Sequence, residues 1–288
     1  SQRNLTPLST MILPLGISLK SIADPLTHEA IALLSQSAFR TFETTPRIFT
    51  GADADALKTA LTGMIRSTGR AVPTFHAPYG PRHDLSAPDE SVRTGAVASL
   101  QAEFHEAKRF DAELVVVHAS VEPVAPELRT SHLAQLRKSL RDLDPRLKQF
   151  GLRLAVELLP RSCIGNTTAE LLGILEGFDE TFGVCLDVNH MMTRADTLPQ
   201  TVRDLGRRLL SLHISDYGGI DEDHALPGTG VVPWEALLAA LAAIGYQGVF
   251  NYEVRLPGLS PSERIAAVER NYTTFILPLM RCVAPRSI

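Results

Sequence analysis

Short apolar runs alternate with longer amphipathic stretches along the whole chain, and this alternation predicts the fold. Eight runs typical of buried strands, such as AELVVVHAS, are each followed by a stretch whose apolar positions recur at three and four residues. Successive polar strand ends lie roughly 25 to 42 residues apart, close to one eighth of a barrel of about 250 residues. The pattern predicts a single (β/α)8 TIM barrel with parallel strands. A doubly wound open sheet is the alternative, but no glycine-rich turn follows the first strand.

Capping signals mark several of the predicted helices. Ser86 is expected to cap the long helix after the third strand. Capping boxes are expected at three later helices, from Thr167 with Glu170, Thr197 with Gln200, and Ser260 with Glu263. We expect residues 1–10 to form a loose arm and residues 11–288 to form one barrel domain.

Four of the apolar runs carry one ligand-type residue near their carboxyl end. Because strand side chains alternate between faces, Asp187 in GVCLDV points away from Val184 and Leu186. The four residues are Glu157, Asp187, His213 and Glu253. A closed parallel barrel brings its strand carboxyl ends to one rim, so these side chains should meet there. Carboxylates with one imidazole suit a single divalent ion, with Mn2+, Mg2+ or Co2+ favoured and Zn2+ as a further candidate.

The same rim is expected to hold five more residues of this kind: Glu43, His76, His118, His190 and His224. Any one of them alone would be typical of a capped strand or a hydrogen-bonded core histidine. Nine together would suffer repulsion and desolvation worth several kcal/mol without a cation. Their convergence therefore predicts a metal site.

Composition narrows the class of protein. The 288 residues are 44% hydrophobic and carry a net charge of −4, which gives no electrostatic reason to expect a nucleic-acid partner. The three cysteines, Cys163, Cys185 and Cys282, are too few and too scattered for a disulfide framework. No apolar run is long enough to span a membrane, and the start lacks the features of a secretory signal. We therefore expect a cytoplasmic protein without a membrane partner.

The order of motifs resembles the sugar phosphate isomerase and epimerase superfamily, whose members have a xylose isomerase-like TIM barrel. The resemblance is carried by GVCLDVNH, HISDYGGIDEDHALPGTGVVPW and GYQGVFNYEV, with FHAPYG and DLSAPDESVR in the first half. It implies that Glu157, Asp187, His213 and Glu253 bind one divalent metal and that His190 contacts substrate oxygens. It also implies isomerisation or epimerisation of a ketose or keto-polyol through a metal-stabilised ene-diolate. Glu157 and Glu253 would act as the acid and base.

Two departures set limits on this resemblance. Ketose 3-epimerases of the superfamily carry a glutamate where this chain has Cys163 and an arginine where it has Gly219. Isomerase, epimerase and dehydratase chemistry on a small carbohydrate therefore all remain open. Further substrate contacts are expected from His76, His118, His224 and Arg161. The apolar faces of the outer helices are compatible with a homo-oligomer or with simple coverage of the barrel.

A second resemblance is to type IV apurinic endonucleases, which are trinuclear zinc phosphodiesterases. His76, His118, His190 and His224 stand at the matching positions, and Glu222 stands where those enzymes have an aspartate. HALPGTGVVPW is more similar to the sugar enzymes, and the chain lacks a basic, aromatic-rich loop set for gripping DNA. A non-catalytic metal- and sugar-binding barrel is the third hypothesis, although such a protein would need neither glutamate as a base.

Overall fold

Eight parallel strands close into a barrel in the computed structural model, which describes residues 12–283. The strands are β1 (Leu15–Ser18), β2 (Thr41–Thr44), β3 (Ala71–His76), β4 (Leu114–Val117), β5 (Arg153–Glu157), β6 (Phe182–Asp187), β7 (Leu209–Ile214) and β8 (Val249–Tyr252). Each strand pairs with the next in sequence, and β1 pairs with β8, Leu15 lying opposite Phe250. The predicted (β/α)8 barrel is confirmed, because an open sheet would leave β1 and β8 unpaired. The predicted arm, residues 1–10, lies outside the described residues.

Helices follow every strand and cover the outside of the barrel. They are α1 (His28–Ser35), α2 (Ala54–Thr68), α3 (Glu90–Arg109), α4 (Arg129–Phe150), α5 (Thr168–Leu175), α6 (Leu198–Leu205), α7 (Trp234–Ala243), α8 (Pro261–Asn271) and α9 (Leu277–Cys282). A turn of π-helix joins α8 to α9. None of the helices within residues 12–283 has the length and apolar character that a membrane span requires.

The capping predictions are partly wrong. Ser260 and Glu263 form the predicted capping box at α8, but α3 begins after Asp89, which accepts hydrogen bonds from two backbone amides. Ser86 lies further back and donates its hydroxyl to Asp84 Oδ1 at 2.7 Å. The short Asp89 carboxylate directly before the first turn reaches those amides, whereas Ser86 is held in the preceding loop.

The other two predicted boxes are incomplete. The Thr167 hydroxyl accepts from the Glu170 backbone N–H at 3.2 Å, but the Glu170 carboxylate is used elsewhere, by Gly165 N and Arg129. The Thr197 hydroxyl makes no cap and donates to the Arg194 carbonyl at 2.8 Å. In both cases a contact outside the helix competes for the side chain that the box needs.

Side-chain alternation along the strands separates two apolar layers. Val184 and Leu186 belong to the large core between strands and helices, while Cys185 points into the barrel. Inside the barrel a small cluster comprises Leu114, Val116, Ala155, Cys185 and Leu210. Because this apolar cluster fills the barrel interior, the polar side chains on the same strand faces lie nearer the carboxyl ends of the strands.

Candidate metal centre

Four buried side chains meet at the carboxyl ends of β5 to β8. Glu157 ends β5, Asp187 ends β6, His213 lies on β7, and Glu253 follows β8. One ligand atom from each of Glu157, Asp187, His213 and Glu253 lies within 4.8 Å of the others, and we call this set the central cluster. The structure thus brings together the four residues that the strand pattern selected. Parallel pairing explains it, because the register sets Asp187 beside His213.

The chemistry of the central cluster fits a divalent cation. Asp187 Oδ2 and Glu253 Oε2 are buried and have no hydrogen-bond partner among the described residues. His213 Nδ1 lies 2.8 Å from Glu253 Oε2, but not with hydrogen-bond geometry. Buried carboxylate oxygens without a donor are costly unless a cation compensates them. Their convergence with an imidazole nitrogen matches the donor set of a divalent ion.

Glu43 on β2 sets the orientation of His213. His213 Nε2 lies 3.1 Å from Glu43 Oε2, and both side chains are fully buried. When Nε2 donates its hydrogen to Glu43, Nδ1 is left facing the rest of the central cluster. Burial lowers the pKa of His213, but Cys185 and the surrounding carboxylates outweigh it, so the net pKa is well above the ordinary value.

Two further donor groups flank the central cluster and share residues with it. His76, His118 and Glu157 form one, which we call the β3–β5 cluster, and Asp187, His190 and His224 form the other, the β6–β7 cluster. Both His76 Nε2 and His118 Nε2 approach Glu157 Oε2, at 3.1 and 3.2 Å. Glu157 and Asp187 each belong to two clusters. All the histidines that the sequence placed at the rim are there.

Glu222 completes the β6–β7 side. Its Oε2 lies 3.4 Å from His224 Nε2 and 3.8 Å from His190 Nε2. The neighbouring imidazoles of His190 and His224 hold the pKa of Glu222 well below its usual range. Burial lowers the pKa of His190, but Asp187 and Glu222 outweigh it and raise that pKa to about 9.

Arg161 lies at the mouth with its guanidinium already engaged. It pairs with Glu122 through two nitrogens, and it lies 2.7 Å from Asp221 Oδ1 and 2.8 Å from Glu222 Oε1. These contacts join the loops that follow β4, β5 and β7. Its predicted role in binding substrate stays a prediction, and its visible role is to hold Glu222 in place.

Lys20 is a site residue that the sequence reasoning missed. It follows β1 in a 3-10 turn, and its Nζ contacts Glu253 Oε1. Burial lowers the pKa of Lys20, but Glu253 raises it, and the net pKa lies above the ordinary value. Its position just after a barrel strand could have identified Lys20 from the sequence, because any residue at a strand carboxyl end lies at the rim, whether or not it is a metal ligand.

Asp216 was also missed, and it fixes the long connection between β7 and α7. Its carboxylate accepts hydrogen bonds from the backbone of Gly228 and Val232 and from the Trp234 indole, at 2.8, 3.1 and 2.8 Å. Trp234 is buried and packs edge-on against Phe275. This connection carries Glu222 and His224, so its order positions the β6–β7 cluster.

Asn189 ties the same connection to β6. Its amide donates to Ser215 Oγ and to the Asp216 carbonyl, both at 2.9 Å, and its oxygen accepts from Asp223 N at 2.9 Å. Asn189 is fully buried, so these bonds are shielded from water. The sequence pattern does not single out Asn189, because a polar residue shortly after a strand is typical of any loop.

Two adjoining cavities open above the clusters. One, of about 460 Å3, is lined by His118, Glu157, His190 and Arg161 among others. The second, of about 310 Å3, lies towards β8, β1 and β2. Lys20, Tyr79, His224, Glu253 and Arg255 line both cavities. Their volumes are those of sites for small molecules.

Comparison with known proteins agrees with this architecture. The family model described as xylose isomerase-like TIM barrel matches residues 31–273. D-psicose 3-epimerase of Ruminiclostridium cellulolyticum is 24% identical over 207 residues, 69% of each chain. Inosose isomerase of Bacillus subtilis is 25% identical over 126 residues, 41% of this chain and 45% of that protein. The chain spans 38 to 62% of the length of the first three curated relatives it matches.

A solved structure of the IOLI protein with a bound zinc atom has the same fold. Its TM-score is 0.78, its sequence identity is 17%, and the superposition covers 92% of this chain and 98% of that one. At this identity the likeness establishes the barrel and its strand order.

Proposed function

The chain belongs to the xylose isomerase-like TIM barrel family, and from that premise we propose that it is a metal-dependent isomerase or epimerase of a small carbohydrate. The substrate would be a ketose or keto-polyol, and the reaction would pass through an ene-diolate. The observation that carries the proposal is the central cluster, in which Glu157 and Glu253 both approach His213 Nδ1. Buried oxygens of Asp187 and Glu253 there lack a hydrogen-bond partner among the described residues. Relatives named as sugar epimerase and isomerase support the same chemistry.

The central cluster would hold one divalent ion, with Mn2+, Mg2+ or Co2+ favoured by its three carboxylates and Zn2+ as a further candidate. When bound, such an ion acidifies the C–H bond next to a chelated carbonyl and stabilises the negative charge that develops.

Glu157 and Glu253 would move the proton. Burial raises the pKa of Glu157, but the nearby His213 and His118 lower it by more. The net pKa of Glu157 is therefore well below the ordinary value. Lys20 and His213 outweigh burial at Glu253 in the same way. Both carboxylates therefore favour the ionised form and are weak bases, so proton transfer to them would depend on the acidity that a bound ion gives to the C–H bond. They come from β5 and from the end of β8, so one can take a proton and the other can return one from a different side.

The surrounding residues would orient the substrate and exclude water. His190 is buried beside Asp187, and its Nδ1 lies 2.8 Å from the Leu158 carbonyl. With Nδ1 donating to that carbonyl, Nε2 lies near Asp187 and Glu222 in a residue that lines the cavity, where it would contact a substrate oxygen. His118 and His224 line the cavity, and His76 lies behind them against Glu157. The low exposure of Glu157 and Glu253, 2% and 7%, limits exchange with solvent once a ligand covers them.

Proton exchange at the carbon next to the carbonyl tests this function. The metal-loaded protein is incubated in D2O with a panel of ketoses and keto-inositols, and deuterium incorporation is followed by NMR. Incorporation into at least one sugar, lost in Glu157→Gln, is expected. A protein that binds sugars without any incorporation would be the non-catalytic barrel instead.

A second candidate function is a trinuclear phosphodiesterase, and one observation favours it. The three donor clusters share Glu157 and Asp187, an arrangement that can hold adjacent ions. Elemental analysis separates the two: one ion per chain supports the isomerase, and three support the hydrolase. His76→Ala should remove one of three ions in the hydrolase and should leave a single ion in the isomerase. The net charge of −4 does not favour electrostatic binding of a polyanionic substrate such as DNA.

Location and assembly follow as further proposals. The three cysteines are free, which agrees with a reducing cytoplasm as the place of action. A homo-oligomer through the outer helices stays a prediction that size-exclusion chromatography with light scattering would test.

A further inference from the structure

We propose that Lys20, Arg47 and Arg255 form a subsite for an anionic group, carboxylate or phosphate, carried by the substrate at the end remote from its carbonyl. We call these three residues the anion subsite. The inference deepens the proposed function, because it places the charged end of the same molecule whose carbonyl end reaches the central cluster.

Three cations, Lys20, Arg47 and Arg255, lie together on one side of the barrel rim. The three donor clusters come from the strand ends of β3 to β8 and from the connection after β7. Lys20 follows β1, Arg47 follows β2, and Arg255 lies two residues after Glu253, beyond β8. Since β1 pairs with both β2 and β8, these cations are neighbours on one side of the mouth. A ligand spanning the mouth therefore meets a metal site at one end and cations at the other.

The charges of the anion subsite are not all neutralised by the protein. Arg47 pairs with Asp24 at 2.7 Å. Arg255 has an exposed side chain, and its ion-pair contact is Glu222, 3.7 Å away and already bonded to Arg161. Arg255 thus keeps most of its hydrogen-bonding capacity, while its backbone is fixed by donation from its N–H to the His224 carbonyl at 2.7 Å.

Lys20 can also bind a ligand if its carboxylate partner is engaged elsewhere. Its Nζ contacts Glu253, a member of the central cluster. If Glu253 binds an ion, part of its negative charge is taken up there, and the ammonium group of Lys20 can turn to a ligand. The site would then offer two unbalanced cations, Lys20 and Arg255, beside the Arg47–Asp24 pair.

Tyr79 connects the anion subsite to the clusters. Its ring stacks on His118, with centroids 4.4 Å apart and planes 17° apart, and its hydroxyl accepts from Arg47 Nη1 at 3.1 Å. Tyr79 lines both cavities. The cavity of about 310 Å3 beside the anion subsite therefore adjoins the one above the clusters, and the proposed ligand would extend across both.

Calorimetric titration of the full-length, metal-loaded protein tests the subsite. The probes are D-fructose, D-fructose 6-phosphate, 5-keto-D-gluconate and inorganic phosphate. At least one charged sugar is expected to bind about 10-fold or more tightly than fructose, on the scale of a charge-assisted hydrogen bond. The tighter of the two charged sugars tells phosphate from carboxylate, and inorganic phosphate should compete with it.

Variants assign the effect to the named residues. Arg255→Met and Arg47→Met should each lower the affinity for the charged sugar by about 10-fold more than the affinity for fructose. Arg207→Met is the matched control, because Arg207 is an exposed arginine just before β7, at the opposite end of the barrel. Raising the salt concentration from about 0.05 M to about 0.5 M should weaken binding of the charged sugar more than binding of fructose. Direct ligation of the anion to a bound ion would leave Arg255→Met equal to wild type.

Four results would overturn the subsite: equal affinity for charged and uncharged sugars, no binding of either charged sugar, wild-type affinity in Arg255→Met, or an Arg207→Met loss as large as that of Arg255→Met. Failure of the proposed function is seen separately, as absence of deuterium incorporation, because the calorimetric preference for charge requires no turnover.

Discussion

Replacing Glu43 isolates the residue that aims His213 at the central cluster. Glu43 is fully buried, and its Oε2 lies 3.1 Å from His213 Nε2. In Glu43→Gln the amide oxygen can still accept from Nε2, so only the charge is lost. Hydrogen bonds to charged groups contribute about 1.5 to 3 kcal/mol, and partners of this kind typically change metal affinity about 10-fold to 100-fold. We expect a loss near 10-fold for Glu43→Gln and near 100-fold for Glu43→Leu, which leaves no acceptor.

Calorimetry with Mn2+, Co2+ and Zn2+ measures these affinities. Glu113→Gln is the matched control, because Glu113 is an exposed glutamate immediately before β4, at the far end of the barrel. Circular dichroism and thermal unfolding establish that each variant is folded. Folded Glu43→Gln and Glu43→Leu proteins with wild-type affinity would refute the idea that Glu43 orients His213.

Three further predictions concern catalysis, pH and the long connection. Glu157→Gln and Glu253→Gln should each lower the rate of deuterium exchange by at least about three orders of magnitude, and retained exchange would mean that another group moves the proton. In metal-free protein the pKa of His190 is raised from 6.5 to about 9, so its contribution to stability is complete below pH 6.5 and is lost as pH rises through about 9. Urea unfolding should show up to about 3 kcal/mol of this loss, and a His190→Gln protein with the same pH profile would contradict it. Gly230→Ala should destabilise the fold by about 1 to 3 kcal/mol, because a Cβ there would lie 2.1 Å from a backbone carbonyl oxygen, whereas Gly218→Ala, with 3.5 Å of clearance, should unfold like wild type.

The sequence by itself was sufficient for the barrel and for the four residues of the central cluster. Strand and helix periods are local properties of the chain, and parity along a strand decides whether Asp187 joins Cys185 on the inner face or Val184 on the outer one. Once parallel strands close, their ends must share a rim. Residues far apart in sequence could therefore be placed together without knowing any contact between them.

Tertiary structure alone decided which side chains contact one another at that rim. Lys20 meets Glu253 only because β1 closes the barrel against β8, and the guanidinium of Arg161 is engaged only because two other loops, after β4 and β7, present carboxylates to it. The true cap of α3, Asp89, likewise depends on a loop that holds Ser86 away. Loop paths and rotamers are set by non-local hydrogen bonds and charge pairing, which leave no periodic trace in the sequence, whereas the strands and helices that carry the site do.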